Sequence, residues 1–146
     1  MAVILLLDTN VISAVMKEVP DALVVRWLDR QRPETIWISS VALFEVRYGL
    51  ETMTAGRRRD LLWERLDQFV RLALRNRIKH FDAASAKEAA KLGAIRKAIG
   101  RPVDMRDLFI AGIAISVRAA VVTRNVRHFS DLAVPVINPW DELKVS

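Results

Sequence analysis

Two short stretches of this sequence place polar side chains where apolar segments end. In "MAVILLLDTNVISAVMK", six apolar residues, Ala2 to Leu7, run into Asp8, Thr9 and Asn10. In "AVVTRN", a second apolar run ends in Thr123, Arg124 and Asn125. Two further acids stand among apolar neighbours. Glu45 lies in "SSVALFEVRYGL", between Val41 and Tyr48 on what helical spacing makes an inward stripe. Asp107 lies in "RPVDMRDLFIAGIAI", on one helical face with Ile110, Ala111 and Ala114, and Asp104 precedes it by about one turn. Three acids aimed at one end of a sheet repel one another, and a bound cation relieves that repulsion. Carboxylate, amide and hydroxyl oxygens suit a hard ion, Mg²⁺ or Mn²⁺. Zinc fits poorly, because Cys is absent and His80 and His128 are far apart in sequence.

Each residue also has a plainer reading. Asp8 could cap the helix after it, Glu45 could pair with Arg47, and Asp107 could serve a helix dipole. Asp104 is better explained as a cap than as a ligand, and Asn125 could be only a turn residue. His128 could touch a phosphate, but a packed or surface histidine explains it better. The case for a site rests on all of them meeting.

The elements that would bring them together read as alternating strands and helices, an α/β pattern with a mostly parallel sheet. Val3 to Leu7 is apolar on both faces and should be a central strand. Helices are expected from Val11 to about Lys17 and from Pro20 to about Arg30. Thr35 to Ile38 is a second strand, and Ser39 or Ser40 caps the next helix. Gly56 ends that helix, and another follows from about Arg57 to Arg75. "RIKHF" is a weak strand. Asp82 caps an Ala-rich helix that stops at Gly100. Met105 to Arg118 is a helix, and Ala120 to Thr123 and Val134 to Ile137 are strands. Pro135 confines the last strand to an edge. In such a sheet, ligands gather beyond the carboxyl ends of the strands, where Asp8 and Thr123 fall.

The chain has 146 residues, about the size of one domain, and we expect one spanning 1–146. No apolar run approaches the length of a membrane span. The apolar start has no cationic lead and no cleavage site, so it reads as a strand and not a signal peptide. Without Cys, disulfides and a thiol nucleophile are excluded, which fits a reducing cytoplasm. A net charge of +6 favours a polyanionic partner, though plain solubility accounts for it equally well.

Taken in order, "LLLDTNVIS", "SSVALFEVRYGL", "DMRDLFIAGIAI", "VVTRNVRHF" and "VPVINPW" resemble the PIN-domain ribonucleases, and within them the VapC-type toxins of toxin–antitoxin pairs, including the FitB-like branch. The resemblance covers nearly the whole chain. It implies a three-layer α/β/α sandwich around a parallel sheet of about five strands. It also implies an acidic site that binds Mg²⁺ or Mn²⁺ and hydrolyses RNA. Asp8 matches the first-strand acid, Glu45 the middle-helix acid and Asp107 the acid before "LFIAG". Asn125 takes the fourth position, where many relatives carry Asp; an amide brings no charge and weakens the case for a second tightly held ion. Thr9, Asn10 and Thr123 would support the site, with Asp104 an outer acid.

On this reading Arg124 and Arg127 hold RNA beside the site, and the Arg57–Arg58–Arg59 run either joins them or is a solvated helix start. A homodimer and a small antitoxin, whose tail enters the acidic groove, are also implied. DNA would be contacted only through that antitoxin. Trp27, Trp37 and Trp63 could serve such contacts or be buried. The alternatives are a toxin–antitoxin DNA-binding subunit, a metal-dependent DNA nuclease and a receiver-like module. The last needs a lysine at a late strand end, where this chain has Thr123 and Arg124.

Overall fold

The computed structural model describes residues 3–142. Five parallel strands form its sheet: β1 (Leu5–Leu7), β2 (Ile36–Ser39), β3 (Ile78–Lys79), β4 (Ala120–Val122) and β5 (Val136–Ile137), in the order β3-β2-β1-β4-β5. Leu6, Leu7, Ile38, Val121 and Val122 have no exposed surface. Strands buried on both faces require helices above and below, which is the three-layer α/β/α arrangement expected from the sequence.

β1 pairs with β2 on one side and β4 on the other. Chain order reverses at the β1–β4 boundary, so the connections leaving these strands diverge and open a crevice at their carboxyl ends. Asp8 follows β1 and Thr123 follows β4, and both lie at that switch point.

The helices are α1 (Thr9–Met16), α2 (Ala22–Asp29), α3 (Ser40–Glu51), α4 (Arg57–Gln68), α5 (Ala83–Ala98), α6 (Met105–Val117) and α7 (Pro139–Glu142). Capping explains several starts. Ser39 accepts from the Ala42 N–H, Asp82 from that of Ser85, and Asp104 from those of Arg106 and Asp107. Helices α5 and α6 pack closely because Gly112 has no side chain. A Cβ there would meet the Ser85 carbonyl oxygen at 2.5 Å and the Ala89 Cβ at 2.8 Å.

Several boundaries differ from the sequence reading. β1 begins at Leu5, and Val3 is exposed. Helix α1 starts at Thr9, directly after its cap Asp8, and not at Val11. Helix α2 opens after Asp21, whose carboxylate accepts from the Leu23 and Val24 N–H groups; Pro20 lies outside it. Thr35 closes a 3₁₀ turn before β2. The helix expected to reach Arg75 ends in a π-helical turn, Phe69–Ala73. The short α7, where Asn138 accepts from the Trp140 N–H, was not anticipated.

Candidate acidic site

Asp8 is the most buried of the acids, with 4% of its surface exposed. β1 delivers it, and its own N–H donates to the Val122 carbonyl at 2.8 Å. Its carboxylate accepts from the Thr9 N–H at 2.8 Å, the Thr123 hydroxyl at 2.8 Å and the Asn10 amide at 3.3 Å. Thr123 is itself saturated: its oxygen accepts from the Asn10 amide at 3.2 Å and the Asn125 N–H at 3.0 Å. The Asn10 carbonyl oxygen in turn accepts from the Arg124 N–H at 3.1 Å. One polar lattice therefore ties β1, α1 and the loop after β4 together. Burial raises the Asp8 pKa and Asp107 adds to it, against the lowering from the Thr123 and Thr9 hydrogen bonds.

Glu45 comes from α3, though not from the stripe expected for it. The buried residues there are Ala42, Val46 and Leu50, while Tyr48 is exposed and stacks on Phe44. A stripe through positions 42, 46 and 50 leaves Glu45 on its flank, half-buried, facing the other acids and not the core. Burial raises its pKa, as do Asp8 and Asp107, while Thr9 and Arg106 oppose the shift.

Asp107 comes from the first turn of α6, on the face it shares with Ile110, Ala111 and Ala114, all fully buried. Burial raises its pKa first and Asp104 second; His128 and Arg96 oppose. Each acid is thus destabilised as an anion by the others or by burial. The charge repulsion anticipated from the sequence is present.

Two of the three acids face a basic side chain of the same chain. Arg106 lies 3.6 Å from the Glu45 carboxylate, and the His128 Nδ1 is 2.7 Å from Asp107. Among the described residues, no three acids or histidines close on one point as a finished metal cage. Yet the donor chemistry fits a hard divalent ion: every ligand candidate offers oxygen. The buried Thr9 hydroxyl also has no hydrogen-bond partner in good geometry, although it lies close enough to Glu45 to favour its ionised form. An orphaned oxygen beside crowded acids is a place where an added cation relieves two costs together.

The remaining residues sort clearly. Asp104 is a cap, exposed, and acts on the site only through its charge on Asp107. Asn125 is exposed, and its N–H bonds to Thr123. Arg124 stacks on Trp140, 4.8 Å from the ring. Arg127 is exposed and, with His128, Arg96 and Arg101, lines a cleft of about 470 Å³ beside Asp107. On the other flank, a groove of about 1090 Å³ runs from Thr9 and Glu45 to Arg57, Arg58 and Arg65. Arg59 instead donates to the Met53 carbonyl. Trp27 is buried; Trp37 and Trp63 are half-buried, under Lys79 and Arg47.

Sequence reasoning missed the resident cations and one anchor. Arg96 is 2% exposed and binds both oxygens of Asp131, at 2.9 and 2.8 Å, and the His128 carbonyl at 2.9 Å. Arg101 adds a second contact to Asp131 at 3.0 Å. A signal existed: positions 85, 89, 92 and 96 form the buried stripe of α5, and Arg96 completes it.

Comparison with known proteins agrees with this fold. The family model described as "PIN domain" matches residues 5–135. Plasmid stability protein StbB of Pseudomonas syringae pv. tomato is 39% identical, over 94% of this chain and 99% of its own length. VapC ribonuclease Y4jK of Sinorhizobium fredii is 37% identical, over 94% and 98%. The crystal structure of FitAcB from Neisseria gonorrhoeae superposes with a TM-score of 0.84 at 34% identity, over 94% of this chain and 99% of that one.

Proposed function

The chain belongs to the PIN-domain family, and from that premise we propose that it is a divalent-metal-dependent endoribonuclease, the toxin of a toxin–antitoxin pair. The observation that supports the reading is that Asp8, Glu45 and Asp107, each with a raised pKa, are coupled in charge near the switch point of the parallel sheet. Relatives named as a VapC ribonuclease and as a tRNA(fMet)-specific endonuclease support the substrate class, and the likeness to FitAcB supports the pairing with an antitoxin. We read residues 1–146 as one nuclease domain acting as a homodimer in the cytoplasm, with DNA contacted only through the antitoxin. Among the described residues, no helix is long and apolar enough to cross a membrane.

Asp8, Glu45 and Asp107 would hold Mg²⁺ or Mn²⁺. When bound, the ion would polarise the scissile phosphate, lower the pKa of a water and admit an anionic backbone that bare carboxylates repel. The protein's own part is placement. Thr9, Asn10 and Thr123 lock the Asp8 carboxylate in one orientation, so no reorganisation is needed as charge develops. The Asn125 N–H in turn holds the Thr123 hydroxyl oxygen. The cleft at Arg127 and the groove edged by Arg57 and Arg58 give an RNA strand cationic footholds on both flanks.

The test is direct. Purified chain, freed of any partner, is incubated with total RNA and a matched DNA in Mg²⁺, Mn²⁺ or EDTA, and the cut ends are mapped. RNA cleavage that requires the metal is expected. Metal-dependent cutting of DNA alone, or no cutting of either, overturns the reading.

A further inference from the structure

The loosest polar contact at the site is between Arg106 and Glu45. At 3.6 Å it is well beyond the roughly 2.7–2.9 Å of a charge-assisted hydrogen bond. The Arg106 side chain is 52% exposed and that of Glu45 19% exposed, so the arginine approaches from the solvent side. Arg106 adjoins Asp107 on the first turn of α6, and the Asp104 cap fixes the backbone from which both project. A guanidinium stays charged at any working pH and matches a phosphate with two parallel N–H groups. Two other arginines near the acids are committed elsewhere, Arg124 to the Trp140 face and Arg96 to Asp131.

Resting on the nuclease reading, we propose that Arg106 is a phosphate-binding residue of the reaction, held in reserve on Glu45 and transferred to an RNA phosphate when a metal ion takes that carboxylate. Before metal arrives, Arg106 supplies the positive charge that Glu45 lacks. Once Glu45 turns to the ion, the guanidinium is released to the incoming backbone at the edge of the site. One carboxylate thereby exchanges cations, and each cation gains a new partner.

The exchange makes two linked demands that a merely structural ion pair does not. Without RNA, Arg106 competes with metal for Glu45. With metal, Arg106 adds one phosphate contact that it does not make in the metal-free protein.

Three proteins test this: wild type, Arg106→Gln and Arg106→Lys. Free Mn²⁺ is followed by electron paramagnetic resonance without RNA. Binding of a fluorescent single-stranded RNA is followed by anisotropy as KCl is raised, with Mn²⁺ ahead of cleavage and with EDTA. Arg106→Gln should bind Mn²⁺ about two- to fivefold more tightly, the worth of an exposed ion pair. Its slope of log affinity against log salt should fall by about 0.7 with Mn²⁺ and stay unchanged with EDTA. Its kcat/KM should drop about 10²-fold, as when one transition-state donor is removed. Arg106→Lys should restore metal competition and the salt slope but only part of the rate, since an ammonium lacks the fork.

If Arg106→Gln leaves the Mn²⁺ affinity unchanged, or keeps the wild-type slope with Mn²⁺, the exchange is refuted while the nuclease reading stands. If wild type itself neither binds Mn²⁺ nor cuts RNA, the nuclease reading falls and Arg106 loses its role with it.

Discussion

The acidic site has two unlike halves. Asp8 sits in a closed polar lattice, bonded to the backbone of its own helix and to side chains from α1 and the loop after β4. Glu45 and Asp107 sit on helices at the rim, half-buried, each in contact with one long-range side chain, Arg106 for Glu45 and His128 for Asp107. The first half is fixed before any ligand arrives. The second is held by contacts with exposed side chains. The difference teaches why the three acids can coexist without metal: one is stabilised by hydrogen bonds, the other two by Arg106 and His128.

Substitutions separate the halves. The largest effect is expected from Asp8→Asn, which removes a charge that no neighbour can replace; RNA cleavage should fall about 10³-fold, several kcal/mol of lost metal-assisted stabilisation. Fold should be retained, with an unchanged circular dichroism spectrum and a metal-free melting temperature no lower than wild type, because a desolvated charge has been deleted. Wild-type cleavage by this variant would make the fixed half dispensable.

Next comes Arg96→Met. It leaves Asp131 half-bound and cuts the tether to the His128 carbonyl, so stability should fall by about 3–5 kcal/mol. Chemical denaturation measures it. A loss under 1 kcal/mol would mean that Arg101 alone holds that loop.

The smallest effect concerns acid. The Asp131 pKa is lowered, first by its hydrogen bond to Arg96. A carboxyl group depressed in the folded state adds stability above its unfolded pKa and loses it as pH falls through the folded value. Asp131→Asn should therefore flatten the acid limb of the stability curve below the ordinary carboxylate range, and leave the slope near neutrality unchanged. Melting temperatures taken down a pH series read this out; an identical acid limb in both proteins would remove Asp131 from the account.

The fixed half was legible in the sequence and the rim was not, for a physical reason. An apolar run ending in Asp8-Thr9-Asn10 encodes its own position, because a doubly buried strand can put polar groups only at its ends. The parallel sheet, the edge placement of β5 and the caps at Ser39 and Asp82 follow from equally local rules. Glu45 was placed on the wrong stripe because Val41 and Tyr48 satisfy helical spacing as well as Ala42, Val46 and Leu50 do. Only the packing of α3 selects between them. The contacts of Arg106 with Glu45 and of His128 with Asp107 join residues 61 and 21 positions apart, and no local pattern announces such pairs.

The sheet's margins have a consequence for the chain at high concentration. β3 and β5 are each two residues long, and Pro135, just ahead of β5, brings no N–H to offer. A foreign strand seeking to extend the ladder finds almost nothing to grip on either margin. Left alone at high concentration, the molecule is guarded against stacking edge to edge into aggregates.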